Sequence, residues 1–160
     1  MTQTAQDGPC EAQFTSLSSL LRHVLDDDML SPDAGTLLDM MNDDIVFEFP
    51  FPIPNGVRRI EGKAALESYL PLVGAALSID VLTLKRCLIA QDRASAVLEF
   101  SCQGTSNTSS ARYDQDYVSV IDLSGGRISR YRDYWNPLIV QAALGDSALM
   151  TAPAVMRSQE

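Results

Sequence analysis

Two carboxylates in the C-terminal half stand where acid–base chemistry could be done. Asp116 lies in Tyr113-Asp114-Gln115-Asp116-Tyr117-Val118, and Asp133 lies in Tyr131-Arg132-Asp133-Tyr134-Trp135. Both runs alternate in character from residue to residue, which is strand behaviour. Ser124-Gly125-Gly126 between them reads as a hairpin turn. On the first strand Asp114, Asp116, Val118 and Val120 share one face, and Tyr113, Gln115, Tyr117, Ser119 and Ile121 share the other. On the second, Arg130 and Arg132 mark a wet or contact face, leaving Tyr131, Asp133 and Trp135 facing inward.

The turn sets the pairing. With Ser124-Gly125 as the loop, Asp116 faces Asp133. With Gly125-Gly126, Asp116 faces Trp135 and Asp133 faces Val118. Either register puts both aspartates on one face, at a direct or diagonal spacing of ~4.5–8 Å; a three-residue loop breaks the parity. Two such carboxylates in an apolar hollow cannot both ionise cheaply, so one keeps its proton near neutral pH. Asp133 is then the group that removes or relays a proton, and protonated Asp116 the donor to a developing oxyanion. The competing reading is structural: Asp116 bonds a hydroxyl or backbone amide, and Asp133 pairs with Arg112 or Arg58.

Phe47 and Phe49 serve as core and as pocket wall. His23, the only histidine, sits away from the Leu17/Leu21 stripe of its helix and reaches at most a pocket rim. One histidine and three widely spaced cysteines (Cys10, Cys87, Cys102) leave no motif for a zinc site or a disulfide framework. Cys87 and Cys102 read as small buried hydrophobes. No P-loop, GxGxxG or nucleophile-elbow serine is present. At 160 residues with a net charge of −9, the chain is one domain whose surface repels nucleic acid and anionic membrane. With no signal-like N-terminus and no membrane-length apolar run, a cytoplasmic location is expected.

The elements that must position these groups follow from periodicity. Phe14, Leu17, Leu20, Leu21, Val24 and Leu25 predict a helix over about 11–27, stopped by Asp26-Asp27-Asp28 at its negative end. Ser31-Pro32-Asp33 predicts the start of a short second helix through Met41. Ile45, Phe47 and Phe49 alternate as a strand closed by Pro50, Pro52 and Pro54. Gly62–Leu77 is a helix presenting Leu66, Tyr69, Leu70 and Val73, with Pro71 expected to kink it. Strands follow at about 79–90, 93–104, 111–122 and 127–136, then a closing helix over Leu138–Leu144. The single domain spans 10–146, with 1–9 and 147–160 as flexible tails.

Asp43-Asp44-Ile45-Val46-Phe47-Glu48-Phe49-Pro50, Gly62-Lys63-Ala64-Ala65-Leu66, the two aspartate runs, and Asn136-Pro137-Leu138 occur in an order that resembles the SnoaL-like branch of the nuclear transport factor 2-like superfamily. The resemblance implies an α+β fold: a cone-shaped, strongly curved, mostly antiparallel sheet wrapped around N-terminal helices, with an internal apolar pocket. It also implies a homodimer through the outer sheet face and chemistry without a cofactor or metal. Superfamily enzymes include ketosteroid isomerases, polyketide cyclases, limonene epoxide hydrolase, scytalone dehydratase and phenazine-biosynthesis proteins. Asp116 resembles the position of the isomerase's oxyanion-stabilising aspartic acid and of one epoxide hydrolase aspartate. Asp133 resembles the other epoxide hydrolase aspartate and the acidic residue of the phenazine proteins. Phe49 stands where the isomerase has its base, and Asp114 where the epoxide hydrolase has an arginine, so neither of those reactions is expected unchanged. The expected activity is an isomerase, cyclase or lyase/dehydratase step on a small hydrophobic cyclic or polycyclic metabolite. Phe47, Phe49, Tyr69, Val118, Tyr131, Trp135 and His23 are the expected substrate-binding residues. A non-catalytic ligand-binding or protein-interaction module on the same fold is the alternative.

Overall fold

A computed structural model describes residues 11–145, so the expected tails and Cys10 lie outside the described residues. The chain runs β1 (Ala12–Phe14), α1 (Leu17–Val24), β2 (Met41–Glu48), β3 (Arg59–Glu61), α2 (Lys63–Ala76), β4 (Leu77–Ile89), β5 (Ser95–Ser106), β6 (Gln115–Ser124), β7 (Arg127–Tyr134) and α3 (Pro137–Leu144). The described strands form one curved, open sheet in the order β1-β4-β5-β6-β7-β2-β3. Every neighbouring pair is antiparallel except β2 with β7. The α+β class and the mostly antiparallel sheet are as expected from the sequence.

Long strands alternate burial with period two, as in β5, where Ala96, Leu98, Phe100 and Cys102 point to the core. Against that inner face pack Leu20 and Leu21 of α1 and Leu66 and Tyr69 of α2. Two local expectations fail for identifiable reasons, and one strand arises that periodicity did not predict. The first helix is only Leu17–Val24, because Ser16 caps it by accepting from the Ser19 amide. The residues before it pair with β4 instead, Phe14 opposite Leu82. The second short helix does not form: Thr36 and Asp39 exchange side-chain bonds with each other's amides, holding a single turn. Arg22 then ties this segment down through the carbonyls of Ser31 and Ala34. Strand β3, too short to show a period, exists because β2 offers it an edge, Phe47 opposite Ile60. Helix α2 continues through Pro71 to Ala76.

Gly104 on β5 is where the sheet tolerates no side chain. A Cβ there would stand 2.5 Å from the Ser78 carbonyl oxygen and 3.3 Å from the Ile79 Cα. Gly104→Ala must part β4 from β5, and is expected to cost about 1–3 kcal/mol. Urea titration, with the midpoint falling at unchanged slope, checks this.

Candidate active site

The β6–β7 hairpin decides which carboxylates meet. Gly125 and Gly126 both take positive φ (62° and 76°), the two-residue turn that twists with its strands. Ser124 accordingly pairs with Arg127, and Leu123 with Ile128. One residue later the register slips: Asp122 pairs with Arg130, leaving Ser129 as the extra residue of a β-bulge. Its hydroxyl donates to the Asp122 carbonyl at 3.1 Å. A one-residue slip exchanges the faces that meet across a strand pair. Asp133 therefore stands opposite Ser119 and not Val118.

The expected aspartate pair is corrected by this bulge. Asp116 points outward with 80% of its side chain exposed, and binds Lys85 at 2.7 Å. Val118 is also on the outer face, 40% exposed. Both line a separate shallow hollow of about 250 Å³ with Phe51, Lys85, Glu99 and Tyr134. His23 is exposed as well, its ring 5.1 Å from that of Phe14, and it does not border the main cavity. The structural alternative for Asp133 fails too, since Arg112 pairs with Asp114 and Asp80, and neither Arg112 nor Arg58 borders the cavity that Asp133 lines. Asp116→Asn is expected to leave both the melting temperature, within about 2 °C, and any activity of the inner cavity unchanged. Thermal denaturation beside an activity assay checks it.

The inner cavity holds about 300 Å³ between the concave sheet face and helices α1 and α2. Phe47, Phe49, Tyr69, Tyr131, Asp133 and Trp135 border it, bringing together the remaining expected residues. Tyr131 stacks on its cross-strand partner Phe47 at 4.5 Å and 5°. Phe49 stacks on Trp135 at 4.8 Å and meets Tyr69 at 5.9 Å. The Trp135 indole N–H donates to the Phe51 carbonyl at 2.8 Å. Gln115, buried, accepts from the Asn136 amide and donates to its carbonyl, both at 3.0 Å, which fixes the end of the Asp133 strand.

Tyr113, Tyr117 and Ser119 belong to this site and were not singled out from sequence. A signal was there: Asp114, Asp116 and Asp122 make the opposite face of that strand the wet one. The Tyr113 and Tyr117 hydroxyls are 2.8 Å apart, and the Tyr117 ring stacks on Phe100 at 5.0 Å. Ser119 donates to Asp133 Oδ1 at 2.8 Å and accepts from the Tyr131 hydroxyl at 2.8 Å.

Electrostatics single out Asp133. Burial raises its carboxyl from an ordinary 3.8 to about 7, and the Ser119 hydroxyl pulls it partly back. Tyr69, Tyr113, Tyr117 and Tyr131 are all raised, mainly by burial, with the nearby Asp133 charge adding to each. At neutral pH the cavity thus offers one half-ionised acid among protonated phenols. Burial also pushes the Cys102 thiol up to about 11, so it is no nucleophile.

The chain has known relatives. Residues 22–131 match the model of the SnoaL-like domain. The chain belongs to the SnoaL-like family. It is 37% identical over 123 residues to the uncharacterized protein YesE of Bacillus subtilis, covering 77% of this chain and 84% of that one. It is 33% identical over 113 residues to an uncharacterized PhzA/B-like protein of Pseudomonas aeruginosa, covering 71% and 79%. A solved Bacillus subtilis structure named as a candidate isomerase superposes with a TM-score of 0.69 at 36% identity, covering 82% and 94%.

Within this SnoaL-like domain no helix of the described residues is long and apolar enough to cross a membrane. Among the described residues no three His, Cys, Asp or Glu side chains gather to hold a metal ion. The likeness of Asp116 to a family oxyanion-stabilising position does not carry the geometry with it, because here that side chain faces away from the cavity.

Proposed function

We propose that this SnoaL-like protein is an acid–base enzyme, an isomerase or cyclase, in which Asp133 alone moves the proton. Its substrate is a small, mostly apolar cyclic molecule bearing a carbonyl or hydroxyl oxygen. The observation that carries this reading is a single half-buried carboxyl poised near pH 7 in an otherwise uncharged cavity. No Lys, Arg or His is among the described residues bordering that cavity. A substrate carboxylate or phosphate would be desolvated there without a cation, so the substrate is uncharged at its buried end. The volume sits at the low end of the ~300–1,000 Å³ of small-molecule pockets, suiting one compact ring system.

In the proposed step, the Asp133 carboxylate removes a proton from a carbon beside the carbonyl. The electron pair moves onto oxygen as an enolate, stabilised by the hydroxyl of Tyr69 or by the free proton of the Tyr113–Tyr117 pair, since the Tyr131 proton is given to Ser119. The protonated Asp133 then returns the proton to another carbon of the conjugated system, regenerating the carboxylate and leaving an isomer. The isomerase name carried by the solved Bacillus subtilis relative supports this reaction class. An open hollow of about 300 Å³ speaks for small-molecule binding over a purely structural module filled by its own side chains. A homodimer through the outer sheet face belongs to the same reading, supported by the exposed Leu88 and Val118 on that face.

The test is a panel of neutral cyclic enones in deuterated water at pH 7, followed by proton NMR. The protein is expected to accelerate exchange at the carbon beside the carbonyl for some members, and not for their carboxylated analogues. Exchange no faster than in buffer across the panel, or equally fast with Asp133→Asn, sinks the acid–base reading.

A further inference from the structure

Asp133 is held by a hydrogen-bond chain whose direction is set by proton counting. Ser119 has one hydroxyl proton, and it is given to Asp133 Oδ1 at 2.8 Å. Ser119 must therefore accept from Tyr131, whose hydroxyl lies 2.8 Å away. Ser119 is 0% exposed and Tyr131 1% exposed, so water does not compete for the link between them. Three constraints place the chain. The bulge at Ser129 sets Ser119 opposite Asp133. Tyr131 precedes Asp133 by two residues on the same face of β7. Phe47 stacks flat on the Tyr131 ring, fixing where its hydroxyl points.

We propose that Ser119 and Tyr131 are positioning residues for Asp133, forming a one-way chain that occupies Oδ1 and reserves Oδ2 for the proton exchanged with substrate. The proposal rests on the acid–base reading of Asp133 and adds which oxygen reacts and what aims it. With Oδ1 engaged by Ser119, Oδ2 is the oxygen left to carry the acidic proton. Among the described residues, only Ser119 donates to this carboxyl. The titratable groups that face it are Tyr69 from α2, Cys102 from β5, Tyr113 just before β6, Tyr117 from β6, and Tyr131 from β7. All are neutral near pH 7, so loss of the chain registers directly in the titration of Asp133.

The experiment needs no substrate. Carbon-13 NMR of the full chain labelled at aspartate carboxyls follows Asp133, assigned by its absence in Asp133→Asn, from pH 4 to 9. Ser119→Ala is expected to raise the midpoint by about 1–2 pH units, as the carboxylate loses its one strong donor. Tyr131→Phe should raise it by a smaller amount in the same direction, because Ser119 is then a less polarised donor. Ser119→Thr should restore the parent value. A midpoint unmoved in both Ser119→Ala and Tyr131→Phe overturns the chain while leaving Asp133 standing as acid and base. Should Ser119→Ala fail to fold, Tyr131→Phe and Ser119→Thr decide: an unmoved midpoint in the first, or a raised one in the second, overturns it. In the exchange assay Ser119→Ala should move the pH–rate profile together with the NMR midpoint; a rate loss with an unshifted profile also counts against the proposal.

Discussion

Asp133→Asn is expected to lower the proton-exchange rate by about 10²–10⁴-fold, the loss that follows removal of a positioned general base. The fold should survive, because the amide oxygen can still accept from Ser119 at the position of Oδ1. The same substitution should reverse sign in stability. With a folded value of about 7 against an ordinary 3.8, the native state resists ionisation that the unfolded chain undergoes freely. Below about pH 4 both states are protonated and the group costs nothing. Between about pH 4 and 7 the unfolded chain ionises first, so native stability falls as pH rises. Above about 7 the penalty is complete, about 4 kcal/mol. An asparagine cannot ionise, and loses about 1–3 kcal/mol of this gain to an imperfectly paired amide N–H₂. The variant should thus be more stable than the parent at pH 8, and no more stable or less stable than it at pH 4.5, where the ionisation penalty has shrunk to about 1 kcal/mol. Urea titrations at the two pH values check it. Equal stability of the two proteins at pH 8 would mean that Asp133 is better solvated than its position implies.

Phe49→Ala is the second large effect, expected at about 3–5 kcal/mol of stability. Phe49 is 5% exposed and meets three rings, those of Phe47, Tyr69 and Trp135. Truncation removes buried area and also the ring–ring contacts, worth about 0.5–1.5 kcal/mol each beyond area. The hole it leaves opens into an existing cavity, so neighbouring side chains cannot close it without losing their own contacts. A loss of that size is a large share of the roughly 5–15 kcal/mol that holds a domain together. The stacked Trp135 reports the change directly, since its emission should shift as the ring loses its cover. Urea titration gives the magnitude. A loss under about 1 kcal/mol would show that the aromatic wall is not part of the core.

The aromatic wall and the acid were legible because both depend on local patterning. Phe47 and Phe49 alternate with Val46 and Glu48, and Tyr131, Asp133 and Trp135 alternate with Arg130, Arg132 and Tyr134. Side-chain parity within one strand is a property of the strand alone, so the sequence sufficed to turn these residues inward. It likewise sufficed for the two long-range consequences of such alternation, a curved sheet with one buried face and helices to cover it.

Parity between two strands is not local. It depends on every residue that separates them, and one unpaired residue, Ser129, reverses it. Nothing in the composition of Arg127-Ile128-Ser129-Arg130 announces a bulge; it forms because Leu123 and Ile128 satisfy the turn register while Ile121 and Tyr131 satisfy the core register. The two registers differ by one residue, and the chain absorbs the difference at the serine. The inward-facing acid and its aromatic walls were thus determined by the sequence alone. Its partner, a serine and a tyrosine in place of a second aspartate, was decided only when the sheet curved over the hydrophobic core, because burying Tyr113, Tyr117 and Ile121 removes far more apolar surface from water than burying the aspartate face would.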